Sequence, residues 1–113
     1  MALVESLLTA IVRADGDALV MHVGERPYVV AGAGTLDLST QALNLDAMTG
    51  ILQQLLTSAA QDSLEKFGAA EHRLPPHNKE TFTVVAARSG DEIWIEIRRR
   101  RHLAVDDEAA PIC

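Results

Sequence analysis

The residues of this 113-residue chain that could do chemistry are four histidines, one cysteine, a glycine-rich turn, paired acids and an arginine run. His22, His72, His77 and His102 form no H-x-x-x-H or H-x-x-E-H pair, and the only cysteine is Cys113, so spacing assembles no zinc ligand set. His72 and His77 flank Pro75-Pro76 closely enough to meet at a surface metal, but a solvated loop pair is the favoured reading. Gly32-Ala33-Gly34-Thr35 has the glycines of a phosphate loop without its lysine, since Lys66 and Lys79 lie elsewhere, and it reads as a hairpin turn. A nucleophilic serine or cysteine needs a sharp turn and an adjacent base. Ser39, Ser58, Ser63 and Ser89 have no such setting, and Cys113 sits in an acidic tail that does not favour its thiolate. Glu92 and Glu96 share a strand face and read as a solvated edge rather than an acid/base dyad. No catalytic, cofactor-binding or metal-ligating residue is expected, and the chain is not expected to be an enzyme.

Two features point instead to binding. Trp94 falls on the polar side of a strand pattern, where a large aromatic is either covered by another element or exposed as an interface anchor. Arg98-Arg99-Arg100-Arg101 form a basic strip that either meets an acidic partner or balances Glu92, Glu96 and the acidic tail. A net charge of −6 and a pI near 5.0 argue against a nucleic-acid or anionic-membrane partner, which needs clustered positive charge. The interaction candidates are therefore Trp94, Arg98, Arg99, Arg100 and Arg101, with a protein as the partner.

These residues must be positioned by a small set of elements. Leu3, Val4, Leu7, Leu8, Ile11 and Val12 recur at helical spacing, and Asp15-Gly16-Asp17 ends that helix. Residues 18–23 and 28–31 read as two strands joined by Gly24-Glu25-Arg26-Pro27, and the alternation of His22 with Met21 places His22 on the solvent face. Thr35–Leu38 adds a short strand. Asn44 or Asp46 caps a helix carrying Leu45, Met48, Ile51, Leu52, Leu55 and Leu56. Residues 60–67 form another helix, with Leu64 and Phe67 expected inward and Gly68 as its stop. After the Pro75-Pro76 break, residues 81–87 and 92–98 form a hairpin around Ser89-Gly90-Asp91. Its second strand alternates strictly, with Ile93, Ile95 and Ile97 on one face and Glu92, Trp94, Glu96 and Arg98 on the other. The expected fold is α+β, an antiparallel sheet with helices packed on one face. Residues 1–102 are expected to form one domain, followed by an acidic, disordered tail over 103–113. No apolar stretch approaches the ~20 residues of a membrane-spanning helix. No basic secretory start is present, and a lone cysteine suits a reducing compartment, so the cytoplasm is expected.

In this order of elements the chain resembles the N-terminal, PAS-like domain of type IV pilus retraction and type II secretion ATPases (PilT-like), over residues 3–100. The carrying segments are the amphipathic helix Glu5–Val12, then Leu19–Val23 and Tyr28–Val30 around the Gly24-Glu25-Arg26-Pro27 turn. Two helices follow, and then a hairpin opening with Phe82-Thr83-Val84 and closing with Ile97-Arg98. Where that family carries Asp-Leu-His this chain has Ala18, Leu19 and Val20, and Val30 and Thr83 stand at two arginine positions. The resemblance implies a packing and interaction domain without the ATPase domain, and the neutral replacements imply that coupling to a motor was lost or was never present. The expected function is a non-catalytic protein–protein interaction or regulatory module, linked to pili, secretion or motility, with a homodimer through a sheet edge also open. The alternative is a small-ligand sensor with a pocket between sheet and helices near Met21, Val29, Met48 and Ile51.

Overall fold

A computed structural model describes residues 3–32, 34–76 and 80–100 of the chain. Along it run α1 (Leu3–Arg13), β1 (Ala18–His22), β2 (Tyr28–Ala31), β3 (Gly34–Asp37), α2 (Leu45–Leu55), α3 (Ser58–Phe67), β4 (Ala69–Arg73), β5 (Thr81–Ser89) and β6 (Glu92–Arg100). The expectations for Arg101, His102, the tail over 103–113, His77, Lys79 and Ala33 lie outside the described residues.

Each helix is delimited by local chemistry that satisfies its orphan backbone groups. The end of α1 is a Schellman arrangement: Gly16 N–H donates to the Ile11 carbonyl at 2.9 Å and Asp15 N–H to that of Val12 at 3.0 Å. Asp15 adopts a left-handed φ of 49° there, which an aspartate tolerates better than most residues. Asn44 caps α2 by accepting from Ala47 N–H, and Thr57 caps α3 by accepting from Ala60 N–H. Gly68, at a φ of 79°, closes α3 and turns the chain directly into β4.

All strand pairs are antiparallel, in the order β3-β2-β1-β6-β5-β4. β1 and β6 are the central pair, with Leu19 opposite Ile97 and Met21 opposite Ile95. The alternation of β6 decides which face is dry. Ile93, Ile95 and Ile97 are fully buried and join Leu8 and Ile11 of α1, Met48, Ile51, Leu52 and Leu55 of α2, and Leu64 of α3 in one core. Each such side chain contributes about 1.5–3 kcal/mol on burial, before conformational entropy is counted. The β5–β6 turn has two residues, Gly90 and Asp91, with Gly90 at a φ of 63° in the first central position, as a tight hairpin needs.

The α+β class and the one-sided helix layer are as the sequence implies. Three details differ. β4 was not expected. α3 begins at Ser58 rather than residue 60. Phe67, expected to point inward, is 79% exposed, because it is the last residue of α3 and stands at the outer border of the sheet where no described residue covers it. Met21, Val29, Met48 and Ile51, the residues placed around a ligand pocket, are buried members of the core.

Candidate protein-binding surface

The strand registers place Tyr28, Val20, His22, Trp94, Glu96, Arg98, Val85, Ala87, Glu71 and Arg73 on the face turned away from the core. His22 of β1 lies directly opposite Trp94 of β6 in the ladder. Their rings stack at a centroid distance of 4.1 Å and an angle of 10°, with Trp94 still 47% exposed. The imidazole is held on both sides, by Glu92 Oε1 at 2.8 Å from Nε2 and Glu25 Oε2 at 3.0 Å from Nδ1.

Local backbone structure sets this geometry. Gly24, at a φ of 85°, turns the chain after β1, and Glu25 N–H closes the turn on the His22 carbonyl. Gly24 N–H donates to Leu43 and Leu43 N–H to Glu25, which anchors the turn to the segment entering α2. The hydrogen bond to Glu92 raises the His22 pKa above its ordinary value; partial burial opposes this, and Glu25 reinforces it. Protonated imidazole donates from both nitrogens, which matches two carboxylate acceptors, and a cation over an indole face is itself favourable. The result is a Trp94 platform whose orientation is fixed before any partner arrives.

The arginine strip is divided between faces. Arg98 and Arg100 are exposed, and both share strand parity with Trp94. Arg98 meets Glu96 at 3.1 Å, an exposed pair that contributes little to stability. Arg99 corrects the expectation that it belongs to the interaction strip. It has the opposite parity, its side chain is only 10% exposed, and it is engaged internally. Its guanidinium grips Glu80 through Nε and Nη2, and Nη1 reaches Asp15 Oδ1 and the Gly16 carbonyl, each at 3.2 Å. The Glu80 hydrogen bonds hold its pKa above the ordinary arginine range, against the opposing effect of burial. Arg101 lies outside the described residues.

Thr83 is buried between the registers of Arg73 and Arg98, and its hydroxyl has no partner among the described residues. The sequence pointed to Trp94 and to the solvent side for His22, but not to their contact. Their parity is local, whereas the register joining the first strand to the last is not. Among the described residues there is no group of three or more His, Cys, Asp or Glu fit to hold a metal, and no helix long and apolar enough to cross a membrane.

A six-stranded antiparallel sheet with three helices on one face makes this an α+β domain of the PAS-like kind. Among solved structures, that fold is shared with the pilus retraction motor PilT with bound ADP, at a TM-score of 0.77 and 10% identity, over 90% of this chain and 30% of that one. The ATPase DotB of Legionella pneumophila aligns at a TM-score of 0.71 and 14% identity, over 87% of this chain and 28% of that one. DotB of Yersinia pseudotuberculosis aligns at 0.69 and 13%, over 86% and 29%. No family model matches the sequence, and no curated protein matches it. The resemblance to the N-terminal domain of such ATPases thus holds for the fold, and this chain spans about 30% of their length.

Proposed function

We propose that this chain is a non-catalytic module that docks a protein partner on the open face of its sheet, centred on Trp94. The carrying observation is an indole 47% exposed near the start of a central strand, stacked on the His22 ring. Pre-ordered aromatics of this kind are the usual anchors of protein interfaces, since little side-chain entropy remains to be lost. Arg98 and Arg100 supply the charged rim. The fold neighbours, a pilus retraction motor and two DotB ATPases, support a partner from a pilus, secretion or motility apparatus, met in the cytoplasm.

The test is calorimetric titration of the chain against cytoplasmic components of such an apparatus. Trp94→Ala is expected to weaken the binding by about 2 kcal/mol or more, roughly thirtyfold, with the fold retained. Equal affinity for the wild type and the Trp94→Ala and Arg98→Glu variants would remove this face from the reading.

A further inference from the structure

Among the described residues, strand β4 is paired on one side only. Ala69–Arg73 match Ala87–Thr83 of β5, and β4 closes the strand order at its edge. Leu74 N–H donates to Phe82 at 3.0 Å and Arg88 N–H to the Gly68 carbonyl at 2.9 Å, so the even-numbered residues address β5. Antiparallel alternation then turns the N–H and C=O groups of Ala69, Glu71 and Arg73 outward. The Ala69 carbonyl is already taken by the Ser63 hydroxyl at 3.0 Å, and Pro75 has no N–H to offer. Glu71 and Arg73 remain as the free rungs, both exposed, opposite in charge and on the same face.

This spacing is self-complementary. A second copy of β4, laid antiparallel with the two-fold axis at His72, sets Glu71 opposite Arg73 twice. It forms four backbone hydrogen bonds and two cross-strand charge pairs. The neighbouring register sets Glu71 against Glu71 and calls on the occupied Ala69 carbonyl. The favoured register also brings Pro75-Pro76 of one copy towards the end of α3 in the other, where Phe67 is 79% exposed. The opposite edge offers no such match: β3 is four residues long, and its one charged side chain, Asp37, faces Arg26 of its own chain at 3.8 Å.

We infer that the partner of this edge is a second copy of the chain, joined β4 to β4 in an isologous dimer whose two sheets become one. The pairing is independent of the Trp94 face. It places the two Trp94 side chains on one continuous surface, five strand spacings apart across the sheet and six residues apart along it, about 30 Å in all.

Sedimentation velocity of the full chain, in reducing low-salt buffer and over a wide concentration range, tests this. The mass should rise from 12.2 kDa towards twice that value. Glu71→Arg and Arg73→Glu should each raise the concentration needed for dimerisation about tenfold or more, because like charges then face each other. The Glu71→Arg/Arg73→Glu double variant should dimerise again, since the swap rebuilds both pairs. Trp94→Ala should dimerise as the wild type does, which separates this pairing from partner docking. A circular dichroism spectrum like that of the wild type for each variant, taken at a concentration where all are monomeric, confirms that folding is not at issue. A wild type that stays monomeric, single variants that still dimerise, or a double swap that does not would each overturn the β4 pairing.

Discussion

The two ends of β6 carry two ion clusters built from similar residue types and put to opposite uses. At one end Arg99 is nearly enclosed, binding Glu80 beside β5 and the Asp15-Gly16 turn after α1, while its backbone N–H donates to Asp17 at 2.9 Å. At the other end His22 lies between Glu25 and Glu92, whose carboxylates are more than half exposed, and it supports an indole that faces solvent. Arg98 and Arg99 are adjacent in sequence, yet the pleat sends one to each environment. A charge enclosed with a carboxylate, as Arg99 is with Glu80, fixes the path of the chain. Carboxylates that stand in water, as Glu25 and Glu92 do around His22, cost little to rearrange for a visitor. What separates the clusters is enclosure, not composition.

Substitutions can break or sharpen this contrast. The largest effect is expected from Arg99→Ala, which removes the guanidinium from Glu80 and from the Asp15-Gly16 turn; a loss of about 3 kcal/mol should appear in chemical denaturation. Arg99→Lys should recover only part of it, because an ammonium cannot reproduce the bidentate grip. Next is Gly16→Ala: a Cβ there would stand 2.2 Å from Cγ1 of the fully buried Val29 and 3.2 Å from the Val30 carbonyl. About 2 kcal/mol should be lost, read by the same method. Trp94→Ala should cost under about 1 kcal/mol in stability, since much of the indole is already wet. If it costs as much as Arg99→Ala, the open cluster is structural after all.

The smallest effect is the pH response of His22. Its folded pKa lies above the ordinary value, so the stabilisation is complete below about pH 6.5 and is lost as pH rises through the folded value. Melting temperature should therefore decline from mildly acidic to mildly basic pH in the wild type more than in His22→Gln. Parallel curves for the two would show that the carboxylate clamp adds nothing to folding.

What the sequence made legible was what its periodicity encodes. The alternation of Ile93, Ile95 and Ile97 against Glu92, Trp94 and Glu96 sorts both faces of the sheet without knowledge of any partner strand. Asn44 and Gly68 mark helix ends through their own side-chain and backbone chemistry. β4 was illegible because Ala-Ala-Glu-His-Arg has neither β-branched residues nor alternation, and it is a strand only because β5 supplies a ladder. Arg99 was assigned to the wrong company because a run of like residues conceals parity, and because Asp15 reaches it only through the fold. The His22–Trp94 stack depends on a pairing between distant strands, which no local pattern reports.

That same pairing bears on how the protein comes into being. The middle of the sheet joins β1 to β6, which follows it by about seventy residues, so Leu19 has no neighbour on that side until Ile97 has left the ribosome. The β1–β2–β3 meander must wait as an open, half-apolar sheet while the rest of the domain is made. Folding should therefore be slow for so small a domain. A nascent chain stalled before β6 would expose its central strand to chaperones and to aggregation.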